Sequence, residues 1–107
     1  MQEATFLILT ALAAGSQHGY GILADVSQIS GGRVRLRPGT LYTALDRLRG
    51  DGLIEVDREE IVDGRLRRYY RLTAGGRRAL AEEADLRAST ARVVRSRLGL
   101  PGTEAAT

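Results

Sequence analysis

The chain has 107 residues, of which 43% are hydrophobic, and a formal net charge of +3. A chain of this length forms one domain with one core, and the lack of cysteine excludes disulfides, thiolate metal sites and a cysteine nucleophile. No apolar run approaches the roughly 20 residues of a membrane span, and no secretory signal pattern opens the chain, so we expect a cytoplasmic protein.

The positive charge lies in the middle of the chain. Residues 33–78 contain 12 arginines and 7 acidic residues, whereas residues 1–32 contain two acids and no arginine. Every Lys or Arg position is arginine, whose guanidinium group matches phosphate and guanine, although a biased genomic base composition has the same effect. The basic segment is therefore the first candidate for contact with a polyanion.

Two helices are predicted within the first 30 residues. Their apolar side chains recur at helical spacing. These residues are Phe6, Leu9, Leu12 and Ala13 in the first helix, and Tyr20, Leu23, Val26 and Ile29 in the second. Gly15 is placed to end the first helix in a left-handed cap, Ser16 is a plausible N-cap for the second, and Gly31 and Gly32 end it.

The segment "RVRLR" at 33–37 alternates apolar and basic residues, which predicts a short half-buried strand with a cationic outer face. Pro38 suits the first turn of a third helix because its φ is fixed and it has no N–H to leave unpaired. That helix is held on the core by Leu41, Leu45 and Leu48 and ends at "GDG".

The stretch that follows predicts a β-hairpin and then a long helix. Two strands meet at Asp63-Gly64, a dipeptide that tolerates the positive φ angles of a tight turn. Thr73 is a plausible N-cap for a helix over 75–98, which Gly99 and Pro101 end. We therefore expect a winged helix-turn-helix over 1–74, a dimerisation helix over 75–98 and a flexible tail over 99–107.

The last helix carries a weak heptad seam that we interpret as a dimer contact. The seam consists of Leu80, Ala84, Arg87, Ala91, Val94 and Leu98. We expect it to dock on the first helix of a second subunit, where Phe6, Leu9 and their neighbours make that helix apolar nearly all round. The alternative is that the last helix folds back on its own domain.

The order of elements, two helices, strand, helix and hairpin, is that of a winged helix-turn-helix, a mainly helical fold with a small β-hairpin wing. On the third helix Thr40, Thr43 and Arg47 form a stripe roughly opposite the leucines, with Tyr42 to one side. That stripe is suited to the major groove, and Arg47 is its only strong guanine reader. Arg65, Arg67 and Arg68 surround the turn of the wing, where they would contact phosphates or the minor groove.

Three motifs together resemble the PadR family of winged-helix transcription regulators: "HGYGI" at 18–22, "GTLYTALDRLRGDGLI" at 39–54 and "GRLRRYYRLTAGGRRAL" at 64–80. The resemblance implies a homodimeric repressor on a pseudo-palindromic operator, released by a small molecule, and it places Tyr20 on a supporting helix and Gly64 on the wing. The expected DNA-contacting residues are Tyr20, Arg37, Thr40, Tyr42, Thr43, Arg47, Gly64, Arg65, Arg67 and Arg68.

Some family members line a ligand cavity with tryptophan near the position of Arg87, and this chain has no Trp. We therefore consider Arg87 and Ala91 as contacts for a polar or anionic effector. His18, the only histidine, is a weak candidate for a metal sensor that uses carboxylates at a subunit boundary.

Two other functional classes are considered. A protein-interaction module without a DNA role would need an apolar or acidic outer face on the third helix, and the face here is polar and cationic. Catalysis is not expected, because the sequence has no recognisable set of acid, base and nucleophile, and we expect no cofactor.

Overall fold

The structure is a computed structural model, and it describes residues 1–101. In chain order the elements are α1 (Glu3–Ala13), β1 (Gln17–His18), α2 (Gly19–Ile29), α3 (Pro38–Gly50), β2 (Ile54–Val62), β3 (Arg65–Leu72) and α4 (Ala74–Arg97). The strands form an antiparallel sheet in the order β1-β3-β2. This is the predicted mainly helical winged helix-turn-helix. Among the described residues, no helix is both long and apolar enough to cross a membrane.

Helix α1 lies at the centre of the molecule and is buried on most of its circumference. It packs against α2, α4 and β3, so that Leu7, Ile8 and Leu9 all belong to the core. The prediction that Leu9 offers a surface to a second subunit is wrong, because its side chain is fully buried within its own chain. The apolar residues around α1 contact three neighbouring elements of the same chain, an arrangement that helical periodicity does not reveal.

Helix α2 has a different N-cap from the predicted one. His18, not Ser16, is the N-cap, and its Nδ1 accepts a hydrogen bond of 3.2 Å from the Gly21 N–H. Ser16 instead donates to a carboxylate oxygen of Asp57 on β2. The buried face is formed by Ile22 and Val26, whereas Tyr20 and Ile29, which the spacing had placed on the apolar side, are exposed.

The segment 33–37 is not a strand, so that prediction is wrong. Val34 and Leu36 pack against the core while Arg33, Arg35 and Arg37 are exposed, as the alternation implied. The segment has no neighbouring strand with which to pair. The third strand of the sheet is β1, which pairs with β3 through Gln17 opposite Tyr70 and His18 opposite Tyr69.

Helix α3 confirms its prediction at both ends. Pro38 occupies the first turn, Arg37 is an extended N-cap without a side-chain hydrogen bond, and the helix ends before Gly52, whose φ is +75°. Leu41, Leu45 and Leu48 are at most 1% exposed. These leucines hold α3 on the core and leave its other side free.

The hairpin is the predicted wing. Asp63 and Gly64 have φ angles of 53° and 76°, as a two-residue turn of this hand requires. The register pairs Ile54 with Leu72 at the core end and Val62 with Arg65 at the turn, with an irregularity between Val56 and Arg58. The wing therefore extends the sheet beyond the core into solvent.

Helix α4 is capped by Thr73 as predicted, since the Thr73 hydroxyl accepts a hydrogen bond of 3.0 Å from the Gly76 N–H. Gly76 has no room for a Cβ, which would overlap the backbone carbonyl of Leu53. The first half of α4 packs on α1. Residues 88–94 are all exposed, so the second half of α4 projects from the domain. The predicted tail at 99–107 lies largely outside the described residues.

Candidate nucleic-acid interface

A groove of about 670 Å³ runs between the start of α2, the outer side of α3 and the wing. The side chains that line it are polar, aromatic or cationic for the most part. They include Tyr20, Tyr42, Asp46, Arg65, Arg67 and Arg68. Five of these six residues were predicted to contact DNA, and the structure brings them to one surface. Asp46 is the sixth, and it was not among the predicted site residues.

The start of α2 and the middle of α3 approach closely at Gly19 and Tyr42. A Cβ on Gly19 would overlap the hydroxyl of Tyr42 and lie 2.8 Å from its Cζ atom. A larger residue at position 19 would require the Tyr42 ring, which is 44% exposed above this contact, to move. The glycine therefore sets how Tyr42 stands in the groove, a role that the motif "HGYGI" did not make visible.

The exposed side of α3 is divided between two grooves. Tyr42 and Asp46 face the wing, whereas Thr40, Thr43 and Arg47 line a second groove beside the N-terminal part of α1. In that groove Arg47 donates a hydrogen bond of 2.8 Å to the hydroxyl of Thr5. The guanidinium group that we predicted to be the principal guanine reader is thus drawn toward α1.

Ion pairs neutralise the arginines at the wing base, which we define as residues 54–60 and 68–72. Arg71 pairs with Glu55 and Asp57, Arg58 with Asp57 and Glu60, and Arg68 with Glu59 at 2.9 Å. The hydrogen bond to Glu59 raises the pKa of Arg68 and fixes its guanidinium group within the sheet. Arg68 lines the groove, but its charge is already balanced.

The wing tip, residues 61–67, is different. Within residues 1–101 neither Arg65 nor Arg67 has an ion-pair partner. Ile61 and Leu66, which face each other across the strands, are 71% and 58% exposed. The tip thus combines two free cations with an apolar pair, held by the turn at Asp63 and Gly64.

His18 belongs to this surface as a structural residue. Its ring meets the ring of Tyr69 edge to face at 5.4 Å, and burial, followed by the charge of Arg67, lowers its pKa. The described residues contain no group of three or more His, Cys, Asp or Glu side chains that could hold a metal ion. His18 acts as the cap of α2, and no observation supports the alternative of a metal sensor.

Arg87, the residue considered for an anionic effector, is already paired within its own chain. It hydrogen bonds to Glu3 and Glu83, and its guanidinium carbon lies 4.1 Å from the centre of the Phe6 ring. The hydrogen bond to Glu3 is the main cause of the raised pKa of Arg87. Two carboxylates therefore balance the charge that an anionic ligand would need, which weighs against that interpretation.

The projecting half of α4 exposes more apolar surface than the predicted seam contained. Val94 and Leu98 of the seam are 48% and 67% exposed, and Leu86 and Val93, which the seam did not include, are 64% and 46% exposed. Ala84 and Ala91 are exposed, while Leu80 packs against the core. Phe6 is half-buried beneath Arg87. The apolar stripe is thus rotated from the one that heptad spacing predicted.

The fold and this surface define a winged helix-turn-helix regulator. The family model described as "Transcriptional regulator PadR-like family" matches residues 8–82, and the chain belongs to that family. The resemblance inferred from the three motifs is confirmed. The chain is a transcriptional regulator and not an enzyme.

Named relatives agree with this assignment. Transcriptional regulator Rv3488 of Mycobacterium tuberculosis is 43% identical over 76 residues, which are 71% of this chain and 67% of that protein. A PadR family regulator from Clostridium difficile has a similar structure, with a TM-score of 0.69 and 26% identity over 91% of this chain and 98% of that one. The fold is also shared, with a TM-score of 0.69 and 24% identity over 78% of this chain and 47% of that one, by Bacillus subtilis PadR, whose structure is a complex with operator DNA.

Proposed function

We propose that this protein binds double-stranded DNA sequence-specifically, with α3 in the major groove and the wing beside it. The observation that carries the proposal is the groove in which the outer side of α3, the start of α2 and the two unpaired arginines of the wing tip meet. A helix in the major groove reads base edges, while arginines and hydroxyls outside it contact phosphates. Bacillus subtilis PadR, which shares the fold, binds operator DNA.

Arg37, Thr40 and Thr43 fit the same proposal. All three are exposed at the N-terminal end of α3, where backbone N–H groups point outward and favour a phosphate. Arg47 can reach a base edge only with the donors that it does not use on Thr5, or after leaving Thr5. Its expected contribution to specificity is therefore smaller than the sequence alone suggested.

We expect a homodimer whose subunits meet through the projecting half of α4. Its exposed apolar residues, Leu86, Val93, Val94 and Leu98, are those that a second copy would cover. Two recognition helices on a pseudo-palindromic operator must lie roughly 34 Å apart to enter successive major grooves. The dimer contact would then set this distance.

Regulation as a repressor released by a small molecule is the finer part of the proposal. A shallow depression on α4 adjoins the apolar stripe, so a second subunit would cover it. It is lined by Glu83, Leu86, Arg87, Thr90 and Ala91. A ligand there would change the distance between the recognition helices. Deleting the gene should raise transcription beside the operator, and a fall instead would identify an activator.

The decisive experiment measures binding to duplex DNA at several salt concentrations, using fragments recovered from the genome with the bound protein. Each phosphate contact contributes about −0.9 to the slope of log K against log salt. We expect a steep slope and an enriched sequence. A flat response without enrichment would support the protein-interaction module instead.

The dimer is tested with Val94→Asp and Leu98→Asp, which place a carboxylate in the apolar stripe. We expect monomers in analytical ultracentrifugation and much weaker operator binding. Ala88→Asp, exposed on another side of the same helix, is the matched control and should remain dimeric. Intact dimers of both stripe variants would contradict the proposed contact.

A further inference from the structure

The side of α3 that faces away from the core carries Asp46, whereas Arg47 lies nearer its edge. The residues buried on α3 are Leu41, Ala44, Leu45 and Leu48. At about 100° per residue, Gly39, Thr43 and Asp46 lie opposite them, while Arg47 lies toward α1. Among the described residues, no atom lies within 4 Å of the position of a Cβ on Gly39, so the helix surface is open at that point. Asp46 is therefore the charged residue of α3 nearest the middle of this side.

Asp46 is the only acidic residue of α3, and it lines the groove together with Arg65 and Arg67. In the part of the chain that the structure describes, its carboxylate takes part in no side-chain hydrogen bond or ion pair, in contrast to every acid of the wing base. A free carboxylate on a surface that meets a polyanion is repelled by phosphates. It contributes to binding only where it meets a hydrogen-bond donor.

The major groove offers such donors on base edges. An ionised carboxylate accepts hydrogen bonds and cannot donate them. Cytosine presents its N4 amino group, whereas the N6 amino group of adenine lies beside the acceptor N7, which repels a carboxylate. Guanine and thymine present acceptors at the corresponding positions. Cytosine is therefore the base edge that suits Asp46.

We infer that Asp46 is a specificity-determining residue that accepts a hydrogen bond from a cytosine amino group in each half of the operator. The inference rests on the proposed function and deepens it. Asp46 rejects other bases at this position by repulsion, and the arginines of the wing tip supply affinity that does not depend on sequence. An asparagine at position 46 would match adenine instead, since its amide pairs with both N6 and N7.

The experiment selects DNA from a random duplex library with the wild-type protein, Asp46→Asn and Asp46→Ala at one fixed salt concentration. We expect the wild-type protein to select a C·G pair at one position of each half-site. Asp46→Asn should shift the base preference at that position toward A·T by about 10-fold, and Asp46→Ala should show no preference there. Asp51→Asn, which removes the same charge from an exposed site at the end of α3, should select the wild-type operator. Thermal melting of each variant confirms that it is folded.

The outcomes separate this inference from the proposed function. If all Asp46 variants select the wild-type operator and only bind every sequence more tightly, Asp46 is a repulsive charge and the inference is wrong while DNA binding stands. If the wild-type protein enriches no sequence, both are wrong. A change of preference at several positions in Asp46→Ala would also overturn the inference, since it would mean that Asp46 sets the position of the whole helix.

Discussion

The tip and the base of the wing are both rich in arginine, yet they present different charges to a partner. At the base, Arg58, Arg68 and Arg71 are each paired with at least one carboxylate of β2. At the tip, Arg65 and Arg67 have no such partner among the described residues. The net charge of the hairpin therefore says little about where a polyanion would bind, and the pairing across the strands decides it.

This difference follows from the register of the hairpin. Glu59 lies opposite Arg68 and Glu55 opposite Arg71, so opposite charges meet directly across the strands. Glu60 lies opposite Arg67, but its carboxylate pairs with Arg58 on its own strand. Beyond Glu60 the partners are Ile61 with Leu66 and Val62 with Arg65, and no carboxylate of β2 remains to pair with Arg65. The acids of β2 balance the charge of the base, and the arginines of the tip are left to bind a polyanion.

The largest expected effect comes from removing the two arginines of the wing tip. Arg65→Ala combined with Arg67→Ala should raise the Kd for operator DNA by about 10-fold or more and lower the salt slope by about 0.9 for each phosphate that the variant no longer neutralises. Binding to random DNA should weaken nearly equally, because these side chains position the wing and do not read bases. Fluorescence anisotropy at several salt concentrations measures both quantities.

The matched control removes the same charge from the wing base. Arg58→Ala combined with Arg71→Ala should leave the salt slope nearly unchanged, because both side chains are already paired with acids. The Kd should rise only through repulsion between phosphates and the carboxylates left unpaired, and by less than in the tip variant. If the slope falls as much in the base variant as in the tip variant, total charge governs binding and the distinction between the two regions fails.

A smaller effect is expected from the turn that forms the tip. Gly64→Ala forces an L-residue to a φ of +76°, which should destabilise the fold by about 1 kcal/mol and lower Tm by about 4–8 °C. Gly39→Ala is the control, since its helical position has open space and alanine should be neutral or slightly stabilising there. Equal melting of the two variants would show that the turn does not hold the tip in this conformation.

Much of the fold could be predicted because local chemistry determines it. The Asp63-Gly64 turn, Pro38 in the first turn of α3 and the Thr73 cap each depend on neighbouring residues only. The interpretation of 33–37 as a strand was wrong, because alternating burial also occurs in an irregular segment that does not pair with a strand.

The candidate site was harder to predict where it depends on contacts between distant residues. The sequence places Arg47 and Asp46 side by side on α3, and only the packing of α1 shows that Arg47 reaches Thr5 while Asp46 stays free. Likewise, the sequence shows that Leu9 is apolar, but only the packing of α2, α4 and β3 around α1 shows that it belongs to the core. Periodicity finds the faces of a helix but does not say what covers them.

The smallest expected effect lies at the base, where His18 joins the start of α2 to β3. The pKa of His18 is lowered in the folded protein, chiefly by burial and then by Arg67, so the unfolded chain binds a proton more readily as pH falls through about 6.5. Protonation at Nδ1 also removes the acceptor for the Gly21 N–H. Stability from this residue is thus present above pH 6.5 and is lost toward pH 5, by about 0.5 kcal/mol, the lower end of an N-cap contribution.

His18→Asn keeps a cap and cannot titrate, so its Tm should change less between pH 7 and pH 5 than that of the wild type. Equal changes in both proteins would mean that His18 does not couple the wing base to protonation.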